Sequence, residues 1–144
     1  MGFQFKLEKV LGLKEKEKEA YESEFRLSVQ KFEEAAHELY SLLKRKEEIE
    51  NHADSQFHSK MFVNEIQSTQ RFLLSMESKI HFLQKKVQAA REQMAFAQEK
   101  LLYKTVEVKK YETLKSKQKQ EFQFLQSMME TKQNDEFSVL RYAR

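Results

Sequence analysis

Apolar residues recur along this chain in two stripes whose spacing alternates between three and four residues. The first stripe, called here the first seam, begins Leu7, Leu11, Lys14, Lys18 and ends at Ala53. The second seam begins Phe62, Ile66, Thr69, Leu73 and ends at Val139. Ten of the fourteen first-seam positions and seventeen of the twenty-three second-seam positions are apolar. A repeat averaging about 3.5 residues keeps one stripe facing a partner helix while both supercoil, so the seams predict coiled-coil helices.

The seams are separated by a break near residues 51–60. It begins Asn-His-Ala-Asp-Ser, in which short polar side chains compete for backbone hydrogen bonds and favour turns. We therefore expect helix one over about 3–53, a turn over about 54–60 and helix two over about 61–140. A continuous kinked helix is the alternative, but it would have to oligomerise to bury either seam. The pattern favours an all-α, antiparallel two-helix coiled-coil hairpin, with 1–144 forming a single elongated domain.

The expected hairpin leaves the end of helix two without a partner. If the chain folds back near residue 57, Leu42 faces Leu73 and Phe32 faces Leu83. Helix one then ends while helix two continues. The longer C-terminal helix then protrudes by about 25 to 30 residues, many of them apolar. Apolar residues on an unpaired helix are a liability unless another molecule covers them, so this end is the leading candidate for a docking surface.

The composition agrees with long unbroken helices and argues against secretion. The 144 residues include no proline and only two glycines, the residues that helix interiors tolerate least. There is no cysteine for a disulfide framework or a thiolate metal site. No apolar run is long enough for a membrane helix, and the N-terminus lacks a signal-peptide core. We expect a cytoplasmic protein.

Charge is distributed unevenly along the chain. Residues 1–60 carry eleven Lys and Arg against thirteen Asp and Glu, whereas residues 61–144 carry fifteen against ten. The excess is concentrated in residues 99–119, where seven lysines accompany three glutamates. Such a segment suits an acidic protein surface, a nucleic acid, an anionic membrane or simply a solvated helix face. The six arginines are scattered, which argues against a nucleic-acid partner.

The sequence contains no recognisable set of catalytic residues. The four histidines are His37, His52, His58 and His81, and no arrangement of them supplies three or four converging metal ligands. There is no glycine-rich phosphate loop and no histidine paired with a nucleophile. We expect neither an enzyme nor a protein with a cofactor or a small-molecule substrate.

Two stretches of the sequence resemble a known family. Residues 3–11, FQFKLEKVL, followed by Lys14, resemble the N-terminal signature of the flagellar export protein FliJ family, especially its Bacillus-type members. Residues 32–36, FEEAA, followed by Leu39, Leu42 and Leu43, are similar to the same family. The resemblance covers the whole chain, including its length and two-helix layout.

The resemblance implies a stalk-like part of the flagellar type III export apparatus. Members of the family form an antiparallel two-helix coiled coil similar to the gamma subunit of rotary ATPases. The helix-terminal end of such a protein sits in the pore of the hexameric export ATPase FliI and promotes its ring formation and activity. The family also contacts the export-gate protein FlhA and export chaperones. The implied location is cytoplasmic and peripheral, at the inner face of the cell membrane at the flagellar base, in cells whose motility and chemotaxis depend on it.

The resemblance also suggests contact residues. Export-gate contacts would fall at Leu42, Phe72 and Met76, while the neighbouring Arg45 and Lys79 depart from the apolar or small residues expected there. The candidate contacts with the ATPase ring combine the two chain ends: Phe3, Phe5, Phe122, Phe124, Leu125, Met129, Lys115 and Lys119.

The alternative function is a structural or adaptor coiled-coil scaffold with no export role. Such a protein would assemble as a parallel oligomer, whereas the hairpin buries both seams within one chain.

Overall fold

The computed structural model describes residues 2–57 and 62–143, with the side chain of Phe57 left out of the description. Two α-helices, α1 (Glu8–Phe57) and α2 (Val63–Tyr142), account for almost all of these residues. The helices pack against each other as an all-α hairpin, and the described ranges contain no strand. The predicted fold class is confirmed.

The helices begin and end at other residues than expected. Helix α1 starts at Glu8 and not near residue 3, and it continues through residues 51–55 to Phe57. Asn, Asp and Ser favour turns only mildly, and with no glycine or proline nearby nothing in this segment stops the helix. Residues 58–61, the rest of the expected turn, lie outside the described residues. Helix α2 starts at Val63 and ends at Tyr142.

Both seams are the buried faces of their helices. Every first-seam position from Leu11 to Ala53 is buried or half-buried, as is every second-seam position from Ile66 to Phe122. The exceptions lie at the ends, at Leu7 and Phe62 and from Leu125 onward. Contacts divide the chain into two compact units: unit one is Met1–Tyr21 with Leu101–Arg144, and unit two is Glu22–Lys100. The expectation of a single domain stays a prediction.

In unit two the helices run antiparallel, with ion pairs along the interface. Lys46 Nζ lies 3.4 Å from Glu77 Oε1, and Lys86 Nζ lies 3.5 Å from Glu38 Oε2. The best-buried residues of unit two are Ala35, Met76, Ile80 and Ala97, and two of the four are alanines. Small residues let the two backbones approach closely, which suits the knobs-into-holes packing of a coiled coil.

The register of this pairing differs from the expected one. A fold-back near residue 57 would place Lys46 opposite residue 69, yet Lys46 contacts Glu77, about two helical turns further along α2. The expected pairings of Leu42 with Leu73 and of Phe32 with Leu83 are therefore wrong. The physical reason is that α1 continues to Phe57, which moves the connection towards the C-terminus.

In unit one the chain packs an aromatic residue beneath the start of α1. Phe5, which precedes the helix, is buried with Leu11 and Val108, and Phe3 and Tyr111 pack against this cluster. The Glu8 amide donates to the carbonyl oxygen of Phe5 at 3.2 Å, so a single turn carries the chain from Phe5 into α1. An apolar side chain before a helix that contacts one inside it fixes the direction in which the chain enters.

Candidate docking surface on the end of helix α2

The paired part of unit one ends where two phenylalanine rings meet. The ring centroids of Phe3 and Phe122 lie 5.8 Å apart with the ring planes tilted by 49°. From residue 123 to residue 143 every side chain is exposed. We call residues 123–142 of α2 the C-terminal extension. It is shorter than the 25 to 30 residues expected, because the register shift carries α1 and its leading segment further along α2.

Apolar side chains cover a broad face of the extension. Phe124, Leu125, Met128 and Met129 are between 55% and 66% exposed. They line a shallow groove whose polar members are Ser127, Thr131, Lys132 and Asp135. Residues four apart stack on the same side of a helix, so the pairs 124–128 and 125–129 form one continuous apolar surface. Further along the extension the exposed apolar residues are Phe137, Val139, Leu140 and Tyr142.

The opposite face of the extension is polar. Gln123, Glu130, Asn134 and Ser138 occupy it at helical spacing. An amphipathic helix of this kind, with its apolar face in water, fits the pattern by which helices dock into grooves of other proteins. Methionine adapts its shape to a partner, and phenylalanine buries a large area with few rotatable bonds.

The candidate ring contacts separate into two groups in the structure. Phe5 is only 7% exposed, and Phe3 and Phe122 are half-buried against each other, so these three hold unit one together. Phe124, Leu125 and Met129 are the members with their surface free of intrachain packing.

The two lysines among the candidate ring contacts also differ from each other. Lys115 Nζ lies 2.8 Å from Glu8 Oε2, so its charge is paired within the chain. Lys119 is exposed, one turn before the extension begins.

Nearer the middle of α2, unit one holds a crossed set of charges between the two helices. Lys104 Nζ donates to Glu17 Oε2 and to Glu107 Oε2, the latter at 3.1 Å. Lys14 Nζ lies 2.9 Å from Glu107 Oε1 and 3.8 Å from Glu17 Oε2. The two lysines and two glutamates thus join α1 to α2 at positions where the seam lacks apolar residues.

These contacts shift the pKa values of three groups. The hydrogen bond from Lys104 lowers the pKa of Glu17, and those from Lys14 and Lys104 lower the pKa of Glu107. Hydrogen bonds to the same two carboxylates raise the pKa of Lys104. All three groups are therefore held in their charged forms near neutral pH.

The candidate gate contacts all lie in unit two, with different exposures. Leu42 is half-buried and Met76 is 3% exposed, so both belong to the helix interface. Phe72 is 44% exposed, and the guanidinium carbon of Arg45 lies 5.7 Å from its ring centroid. A cation over an aromatic ring is attracted to its negative face. Of the three, Phe72 has the most surface available, and that surface carries a positive neighbour.

Several exposed apolar residues lie outside the seams, where the seam pattern gives no signal. In unit one Leu102, Tyr103 and Val106 are between 46% and 71% exposed and lie beside lysines 109 and 110. In unit two Leu27 and Phe96 line a groove, and Lys100 Nζ lies 4.5 Å from the Phe96 ring centroid. A helical-wheel projection of the outward faces would have identified both groups.

The part of the chain that the structure describes contains no group of three or more acidic or histidine residues placed to hold a metal ion. Among the same residues, no helix has a stretch apolar enough to cross a membrane.

Comparison with known proteins identifies relatives along the whole length. The family model described as "Flagellar FliJ protein" matches residues 3–144. A protein of the same name from Bacillus subtilis (strain 168) is 36% identical over 142 residues, which cover 99% of this chain and 97% of that protein. No solved structure gives a significant match.

Proposed function

From the premise that this chain belongs to the FliJ family, whose members serve flagellar protein export and are not enzymes, we propose a docking function. The C-terminal extension docks into the hexameric export ATPase FliI and stimulates ATP hydrolysis there. The single observation that supports this most is the apolar face of the extension, exposed along residues 124–129 and without intrachain cover. Apolar surface of this extent on one helix is typical of a protein-binding element.

The proposed docking uses different chemistry at two places in unit one. Phe124, Leu125 and Met129 enter an apolar part of the ATPase ring and supply most of the binding free energy, because desolvated aromatic and apolar anchors dominate interfaces. Lys119 and the exposed lysines before it approach acidic ring surfaces and steer the encounter. Phe3, Phe5 and Phe122 act indirectly by fixing where the extension leaves the paired helices.

Stimulation follows if the docked helices touch the six ring subunits unequally. A helix pair lacks sixfold symmetry, so it presents different side chains to different subunits. An equilibrium between nucleotide states shifts only when a ligand binds those states with different affinity, and unequal contacts provide that difference.

We further propose that unit two contacts the export-gate protein FlhA, with Phe72 as the exposed anchor and Leu42 and Met76 supporting its helix from the interface. Export chaperones are the third class of partner proposed. These contacts would hold the protein at the inner face of the cell membrane, at the flagellar base.

The test is a pair of substitutions that introduce charge into the full chain. Leu125→Glu with Met129→Glu places two carboxylates on the apolar face, and we expect binding to the ATPase hexamer and its stimulation to fall by at least about tenfold. ATP turnover would be measured against concentration of the added protein, and binding by co-sedimentation with the hexamer.

The matched control is Asn134→Glu with Ser138→Glu, which adds the same charge to the polar face of the same segment. Because all four residues are exposed, neither pair should change the melting temperature of the hairpin appreciably. Equal loss of stimulation in the two variants would mean that added negative charge, and not the apolar face, is responsible. Full stimulation by the Leu125 and Met129 variant would refute the docking proposal.

A further inference from the structure

We propose that the C-terminal extension also pairs with the extension of a second copy of this chain, antiparallel, about a twofold axis near residue 134. This self-pairing is independent of the export ATPase and needs only residues of the extension. It would cover Leu125, Met129 and Val139 when no other partner is bound.

The first argument is that the seam continues into the extension without its partner. Second-seam residues up to Phe122 pack on the other helix, and Leu125, Met129, Lys132, Glu136 and Val139 continue the same three–four spacing into solvent. A stripe with that spacing matches another stripe of the same kind, and α1 is no longer there to provide it.

The second argument is that this part of the seam is symmetric about its own centre. Positions 125, 129, 132, 136, 139 and 143 are placed symmetrically about position 134. A second copy running in the opposite direction therefore aligns Leu125 with Ala143 and Met129 with Val139. A twofold interface requires such self-complementarity, since each copy contributes the same surface.

The third argument is the sign of the two charged seam residues. Lys132 and Glu136 are the charged members of the seam in the extension, and the symmetric alignment places Lys132 of each copy against Glu136 of the other. Two reciprocal ion pairs then occupy the centre of the interface. Opposite charges across an interface fix its register even where they add little to affinity.

A neighbouring register aligns the seams equally well but mismatches the charges. Centred between Met129 and Lys132, it places Lys132 against Met129 and Glu136 against Leu125. Each charge would then be pressed against an apolar side chain without a counter-ion, which costs free energy. The charges thus select the alignment about residue 134.

The flanks of the pairing limit its strength. Met128 approaches Tyr142 of the second copy, which adds apolar contact, while Asp135 of the two copies lie on the same edge and repel each other through water. Two helices overlapping over residues 125–143 bury less than the ~1,200 Å² of a stable complex. We therefore expect a reversible dimer with a dissociation constant of roughly 100 μM.

The test uses the two charge reversals Lys132→Glu and Glu136→Lys, singly and mixed, in the full chain. Each single variant places like charges in both reciprocal pairs, and we expect its self-association, followed by sedimentation velocity, to weaken by at least about tenfold. A mixture of the two variants restores opposite charges across the interface, so heterodimers should form with about the strength of the unaltered protein.

The mixture separates pairing between copies from effects inside one helix. Lys132 and Glu136 are also four residues apart on the same helix, and both single variants lose that intrahelical attraction whether mixed or not. Circular dichroism of each variant checks that the extension stays helical. Recovery only on mixing therefore reports contact between chains.

A cysteine cross-link tests the alignment itself. The chain has no cysteine, so Gln133→Cys introduces a single thiol beside the proposed axis, on the flank of the seam. A short bismaleimide cross-linker should join the two copies at this position, whereas it should not join copies carrying Asn134→Cys, on the outer face. A protein that stays monomeric at all concentrations, single variants that dimerise as the unaltered chain does, or equal cross-linking at positions 133 and 134 would each overturn the proposal.

Discussion

At the residue scale, the sequence predicted which side chains face the other helix more reliably than what the exposed ones do. Lys14 and Lys46 interrupt the apolar first seam, and each lies within ion-pair distance of a glutamate on α2. Phe5 was assigned to a partner surface, yet it is buried beside Val108. An aromatic residue before a helix looks alike in both roles, because its burial depends on a contact roughly a hundred positions away in the sequence.

A residue-scale prediction concerns Lys104 and pH. The lowered pKa values of Glu17 and Glu107 mean that their contribution to stability is present above the ordinary carboxyl pKa of 4.5 and is lost as the pH falls through the lower folded values. In Lys104→Met the two glutamates lose their hydrogen bonds from Lys104, so their contribution to the stability is smaller. The difference in melting temperature between the unaltered protein and the variant should therefore shift between pH 7 and pH 3, in favour of the variant at low pH.

The comparison must be made across pH, because a methionine on the seam adds apolar contact that changes the melting temperature at every pH. Lys119→Met, the same substitution at an exposed position, serves as the control and should show a difference nearly independent of pH. Parallel pH profiles for Lys104→Met and the unaltered protein would contradict the assigned role of the charge network.

At the element scale, the existence and the inner faces of the helices could be predicted, but their register could not. The seams repeat every seven residues, so sliding one helix by a heptad returns apolar residues to equivalent positions. What distinguishes the registers is the charge pattern, which pairs Glu38 with Lys86 and Lys46 with Glu77. The register follows from the structure, in which α1 continues to Phe57.

An element-scale prediction is the distance between spin labels on the two helices of unit two. Labels at Glu38 and Lys86, which are in contact, should give a shorter distance than labels at Glu38 and Lys79. Positions 79 and 86 occupy the same heptad position on α2, displaced by about 10 Å along the helix. Pulsed electron resonance would measure both, and the opposite order would restore the register expected from a fold-back near residue 57.

At the scale of the whole molecule, the extent of unpaired helix follows from the register. The sequence correctly indicated that α2 outlasts its partner, but it placed the end of pairing about one heptad too early. Residues 115–122 were therefore counted with the free end, whereas Lys115 is paired with Glu8 and Phe122 with Phe3. The exposed apolar part of the candidate site is therefore smaller and lies beyond residue 122.

A prediction at this scale is a step in backbone protection along α2. Isolated helices of about twenty residues are marginal in water, and amides without tertiary cover open locally. Amides of residues 124–140 should exchange with deuterium at least about tenfold faster than those of residues 104–118 in the same helix. Uniform protection through residue 140 in dilute solution would show that the extension is stabilised by contacts that the structure lacks.

The uncovered apolar face of the extension has a consequence for the lifetime of the protein in the cell. Proteases cut segments that open easily, and a marginal helix with Lys132 and Arg141 exposed offers such sites to enzymes that cleave after basic residues. Molecules engaged by a partner would be shielded and surplus molecules trimmed. The amount of intact chain would then follow the number of assemblies able to receive it, with no separate regulator required.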